Sequence, residues 1–147
     1  MVPNFIRIML RSRWLFFVGA AALTYMYWWS GLVKLFDFTG AQAEMAHFGL
    51  NPSAFYAALT VFVQLAGSAL IIFGRRLAWL GAGMLAVFTL ATIPVAHPFW
   101  TMEGAAAFME KMVVLEHITV VGGLIVAAIL GELLFAGPAQ ETRSPAA

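Results

Sequence analysis

From Phe55 to Ala96 the chain reads FYAALTVFVQLAGSALIIFGRRLAWLGAGMLAVFTLATIPVA, and its only charges, Arg75 and Arg76, stand side by side in the middle. Each half is long enough to cross a hydrocarbon core of about 30 Å as a helix, which takes roughly 20 apolar residues. Lipid offers backbone groups no partner, so such runs satisfy their own N–H and C=O groups by coiling. The arginines then mark a tight turn where the chain leaves the membrane and re-enters it. Two further runs, Trp14 to Phe36 and Met112 to Phe135, have the same character. Four spans, about 14–36, 55–73, 77–96 and 112–135, predict an all-α fold: a four-helix transmembrane bundle with short interfacial segments on its outer face. Residues 1–147 read as one integral membrane domain, with 136–147 a flexible cytoplasmic tail.

Composition agrees. The chain is 63% hydrophobic and 10% charged, against about 25% charged in soluble domains. A chain of 147 residues cannot bury so much apolar surface in a core of its own. With a net charge of +1 and no basic patch, nucleic acid is not an expected partner. The absence of cysteine excludes thiolate chemistry and disulfide exchange within the chain. Redox chemistry through a bound organic cofactor stays open.

Arg7, Arg11 and Arg13 precede the first span, Arg75 and Arg76 join the second to the third, and Arg143 follows the fourth. All lie on one side, so the positive-inside rule makes both termini cytoplasmic and turns loops 37–54 and 97–111 outward. The apolar stretch between Arg13 and the small residues at 19–22 is too short for a usual signal peptide, so the first span reads as an uncleaved anchor. In GAQAEMAHFGLNPS, residues 40–53, Met45, Phe48 and Leu50 suggest a short interfacial helix ending before Pro52, with Ser53 as N-cap of the second span. Phe99 and Trp100 fit an interfacial aromatic belt, and Trp28 and Trp29 are placed near the same outer surface.

Helices associate in lipid through small residues and polar side chains. In the fourth span Thr119, Gly123 and Ala127 recur at four-residue steps with Gly131 beside them, and Glu116 begins the row. Glu116 is therefore expected to point into the bundle, with His117 turned about 100° away. Thr60, Gln64 and Ser68 form a similar row in the second span, and the Gln64 amide at mid-membrane needs partners. The third span carries Gly81, Gly83, Thr89 and Thr92, with a kink expected at Pro94.

His47, His97 and His117 all fall on the outer side, with both lysines and most of the acids. Intramembrane ionisable groups are candidates for function. Glu116 and His117 read as a proton-relay pair at the mouth of a cavity; the competing reading is that they end the span in the headgroup zone. Lys34, His97, Trp100 and Gln64 are candidates for a pocket holding a quinone or another small molecule. Lys34 can also pair with Asp37 three residues on, and each has a plainer alternative: Lys34 snorkelling beside a solvated acid, Gln64 as helix glue, His97 as a loop anchor and Trp100 in the interfacial belt. Metal ligation is not expected, since the histidines, Glu44 and Glu116 offer no helical i, i+4 ligand pair. No haem-attachment motif, nucleotide-binding glycine loop or hydrolase motif is present.

Five phrases in order resemble the DoxX family of small bacterial membrane proteins: SGLVKLFDF (30–38), FGLNPS (48–53), GRRLAWLGAGMLA (74–86), FTLATIPVAHPFW (88–100) and LEHITVVGGL (115–124). The resemblance implies a four-span inner-membrane protein. The family takes its name from a subunit associated with quinol oxidase and thiosulfate:quinone oxidoreductase activity, and some members are linked to membrane oxidoreductase complexes that handle oxidative or thiol stress. The family often has a lysine-asparagine pair where this chain has Glu116-His117. The expectation is a component of, or accessory to, a quinone-linked oxidoreductase system in a bacterial inner membrane. Its partners would be the lipid bilayer, other membrane or periplasmic redox proteins, and further copies of itself. A non-catalytic anchor or assembly subunit is the alternative. A small-solute or lipid transporter is disfavoured by the lack of internal repeats and paired broken helices.

Overall fold

Thr24 breaks the first apolar run in two. The computed structural model describes residues 2–135, with helices α1 (Asn4–Leu10), α2 (Arg13–Leu23), α3 (Tyr25–Phe36), α4 (Phe38–His47), α5 (Ser53–Phe73), α6 (Ala78–Ala96) and α7 (Gly104–Phe135). Short 3-10 turns lie at Arg75–Leu77 and Phe99–Thr101. The expected tail, 136–147, lies outside the described residues. Instead of one helix over 14–36, α2 and α3 meet at an angle of 57°. Thr24 Oγ1 donates to the Ala20 carbonyl at 2.7 Å, and the Thr24 N–H bonds the same oxygen at 3.0 Å. Hydroxyl back-bonding of this kind bends helices. A break in lipid also strands carbonyls that water cannot reach, and the Trp28 indole N–H donates to one of them, Ala21 O, at 3.1 Å. Trp28 is thereby held beside Leu65, Ser68 and Ala69, on the half of α5 that leads to the arginine turn, and not at the end of the bundle that carries residues 37–54 and 97–111.

Three helical segments are long and apolar enough to cross a membrane, and the bent α2–α3 pair makes a fourth when taken as one span. The result is an all-α bundle. The α5–α6 hairpin closes on glycine: a Cβ on Gly81 would stand 2.7 Å from Leu70 Cβ and 3.0 Å from the Ile71 backbone nitrogen. Close backbone approach supplies the packing contact that lipid does not drive. Across the core, Thr89 Oγ1 donates to Leu85 O at 2.7 Å, so the Tyr27 hydroxyl must donate to Thr89 Oγ1. That chain ties α3 to α6 with no hydroxyl left unpaired.

α4 does more than lie on the surface. Asp37 Oδ1 accepts the Gly40 N–H at 2.9 Å and caps the helix, and Ala41 and Met45 bury against Ala57 of α5. Ser53, expected as the cap of α5, is its first residue, preceded by Pro52 with no side-chain capping bond. α7 begins at Gly104, well before the expected Met112. Its 32 residues reach about 48 Å at about 1.5 Å each, more than a core of about 30 Å requires.

At the opposite end of the bundle three elements meet on Phe135. The guanidinium carbons of Arg13 and Arg75 stand 5.3 and 5.6 Å from its ring centroid. Arg76 Nε donates to its carbonyl at 3.1 Å, placing positive charge at the negative end of the α7 dipole.

Candidate functional site

α6 ends at Ala96, and His97 caps it by donating its N–H to Ile93 O at 3.0 Å. The chain then folds tightly: Thr101 Oγ1 donates to Pro98 O at 2.8 Å. α7 starts at Gly104 with φ of 62°, a left-handed conformation that glycine takes without steric cost. The early start of α7 carries Glu110 back alongside His97. His97 Nδ1 lies 2.7 Å from Glu110 Oε2. Seven residues after Glu110, and so about 20° from it around the helix, His117 sets its ring edge-on to His97, with centroids 4.9 Å apart.

The partners fix the tautomers. His117 Nδ1 lies 2.9 Å from Val113 O, and a carbonyl has no proton to give, so this nitrogen carries the hydrogen. An ionised Glu110 can only accept, so His97 Nδ1 donates to it. Each neutral ring then offers Nε2 as a lone-pair acceptor, and neither Nε2 has a hydrogen-bond partner among the described residues. The His97 and Glu110 side chains are 21% and 32% exposed, partly shielded at the end of the bundle. Two imidazole bases, one oriented by a carboxylate and one by a carbonyl, can take up two protons.

Glu116, expected on the inward row, is exposed, as is Thr119. The buried seam of α7 runs through Val114, Leu124, Ala127 and Gly131. Measured from Leu124, His117 sits about 20° round the helix, Glu116 about 80° and Thr119 about 140°. The small residues do pack: a Cβ on Gly123 would meet Leu23 at 2.8 Å, and Ala127 and Gly131 are buried. Glu116 lies within about 20° of Gly123 around the helix but is exposed, since α2, which covers Gly123, ends at Leu23, and the half-buried residue at that level is His117.

Lys34 lies elsewhere. Its Nζ is 2.8 Å from Glu44 Oε2, with side chains 15% and 43% exposed, and donates to Ser30 Oγ at 3.2 Å. It does not pair with Asp37, because α3 stops at Phe36 and Asp37 turns away to cap α4. Gln64 is 6% exposed, and its Oε1 has no partner among the described residues. Trp100 is 57% exposed, edge-on to Phe99 at 5.3 Å. His47 is exposed against Phe48. Among the described residues no hydrogen bond or ion pair joins Lys34 or Gln64 to His97, His117 or Trp100. Nor do three His, Cys, Asp or Glu side chains converge as a metal site there.

Glu110 is the residue the sequence reading passes over. Its signal is GAAAFMEKM, residues 104–112, rich in strong helix formers, which continues α7 backward and sets Glu110 in heptad register with His117.

The family model described as DoxX matches residues 15–98. The match takes in α2 to α6 with Lys34, Gln64 and His97, and ends before Glu110, Glu116 and His117. No curated protein and no solved structure shows significant similarity to the chain.

Proposed function

The chain belongs to the DoxX family, and from that premise we propose that this multi-pass membrane protein is a component of a quinone-linked oxidoreductase system. It sits in a bacterial inner membrane with both termini cytoplasmic. The observation that supports this reading best is the His97–Glu110–His117 cluster, in which two imidazoles keep a free acceptor nitrogen at one end of the bundle. That donor and acceptor set suits a hydroquinone head group, and Phe99 and Trp100 beside it suit an aromatic ring arriving from lipid.

Quinol oxidation releases two protons and two electrons. His97 and His117 accept the protons at Nε2. Glu110 stabilises the His97 imidazolium through the bond to Nδ1. The electrons pass to a membrane or periplasmic redox protein of the same system. In this reading Lys34 ties α3 to α4 through Glu44, Gln64 packs against Gly31 of α3, and Glu116 marks the headgroup boundary.

The test is extraction of the purified protein. Wild type is expected to carry quinone in stoichiometric amount, and the His97→Leu/His117→Leu double variant to lose it while remaining folded. Wild type with no quinone above the lipid background would reject this reading in favour of a non-catalytic anchor.

A further inference from the structure

At the end of the bundle away from the histidines, an open groove of about 270 Å³ runs between α2 and α7. Its lining is almost wholly apolar and includes Ser12, Phe16, Gly19 and Leu23 on one side and Gly123 and Leu134 on the other. From Ser12 to Leu23, or from Gly123 to Leu134, is about 16 Å of helix. That is half of a core of about 30 Å, the depth of one leaflet. At the end of the groove Phe16 packs edge-on against Phe135, with centroids 5.6 Å apart. Phe135 is the ring that Arg13 and Arg75 cover, with Arg76 on its carbonyl. Stacking on a ring leaves guanidinium N–H donors unused, and no ion pair engages any of these arginines among the described residues, Glu132 one turn earlier on α7 included.

We propose that this groove is a binding site for one anionic phospholipid, its acyl chain lying along Gly19 and its phosphate held by Arg13 and Arg75. Charge decides the occupant. A neighbouring apolar helix or a neutral lipid tail would fill the groove but make no use of the guanidinium pair at its mouth. A phosphate diester takes their planar donors bidentately. The inference does not depend on the quinone reading and concerns the other end of the molecule.

The experiment is native mass spectrometry of the full chain released from mixed micelles of phosphatidylglycerol and phosphatidylcholine. Wild type is expected to retain phosphatidylglycerol preferentially. Arg13→Gln with Arg75→Gln should weaken that retention about thirtyfold, from about two surface charge contacts. Gly19→Leu is the second variant. A Cβ there meets nothing within 4 Å, so the fold is preserved while the groove fills, and retention should fall with the arginines intact. Equal retention of the two lipids, undiminished retention in either variant, or displacement of the lipid by millimolar inorganic phosphate would each overturn the proposal. A dimer without lipid that Gly19→Leu dissociates would overturn it in favour of a second copy.

Discussion

Replacing His97 with phenylalanine is expected to lower quinol-linked turnover by about 10²-fold or more, the usual loss when a general base is removed. Phenylalanine keeps a ring against His117 but provides no nitrogen for the proton or for Glu110. Glu110→Gln should cost less, about tenfold, because the amide oxygen still accepts from His97 Nδ1 while the charge that stabilises the imidazolium is gone. Glu116→Gln is the control. Its side chain is exposed and off the seam, and turnover should stay within about twofold of wild type, the range of a surface change. The assay is quinol oxidation in membranes with matched amounts of protein. A loss with Glu116→Gln as large as with Glu110→Gln would move the working acid to the residue the sequence alone favours.

The second large effect is structural. Gly81→Ala is expected to destabilise the bundle by about 1–3 kcal/mol, the range for overpacking a tight contact. The added methyl group stands 3.0 Å from the backbone nitrogen of Ile71, and backbone cannot step aside as a side-chain tip can. Gly83→Ala, two residues on in the same helix, meets nothing within 4 Å. It should leave stability unchanged or raise it by up to about 1 kcal/mol through helix propensity. Thermal unfolding in one detergent, followed by circular dichroism, separates the two. Equal behaviour would mean that the α5–α6 seam does not depend on close approach at Gly81.

These contrasts show where the sequence is legible. Runs of apolar residues reveal helices directly, because lipid leaves the backbone no other solution. What periodicity cannot reveal is where a helix yields. Thr24 looks like any small polar residue in an apolar run, and only the joint hydrogen bonding of Thr24 to Ala20 and Trp28 to Ala21 makes it a break. Lys34 shows a related blindness. Its pairing with Asp37 presumes that α3 continues, and a turn one residue earlier hands it to Glu44. Glu116 shares its face with Gly123, which does pack against Leu23, but α2 ends there and the chain bends away at Thr24, so a face covered at Gly123 is open two turns earlier at Glu116. Glu110 is hard to see because Glu110 and Lys111 interrupt the apolar residues of 104–112, so the apolar run marks the helix only from Met112.

The central claim is that His97, Glu110 and His117 form the site where quinone chemistry meets this chain. A photoreactive quinone analogue, irradiated in membranes and mapped by peptide mass spectrometry, tests it most directly. The label is expected between His97 and His117, and should disappear in the His97→Phe variant. Label confined to α3 and α5 around Gln64, or to the groove between α2 and α7, would contradict the account.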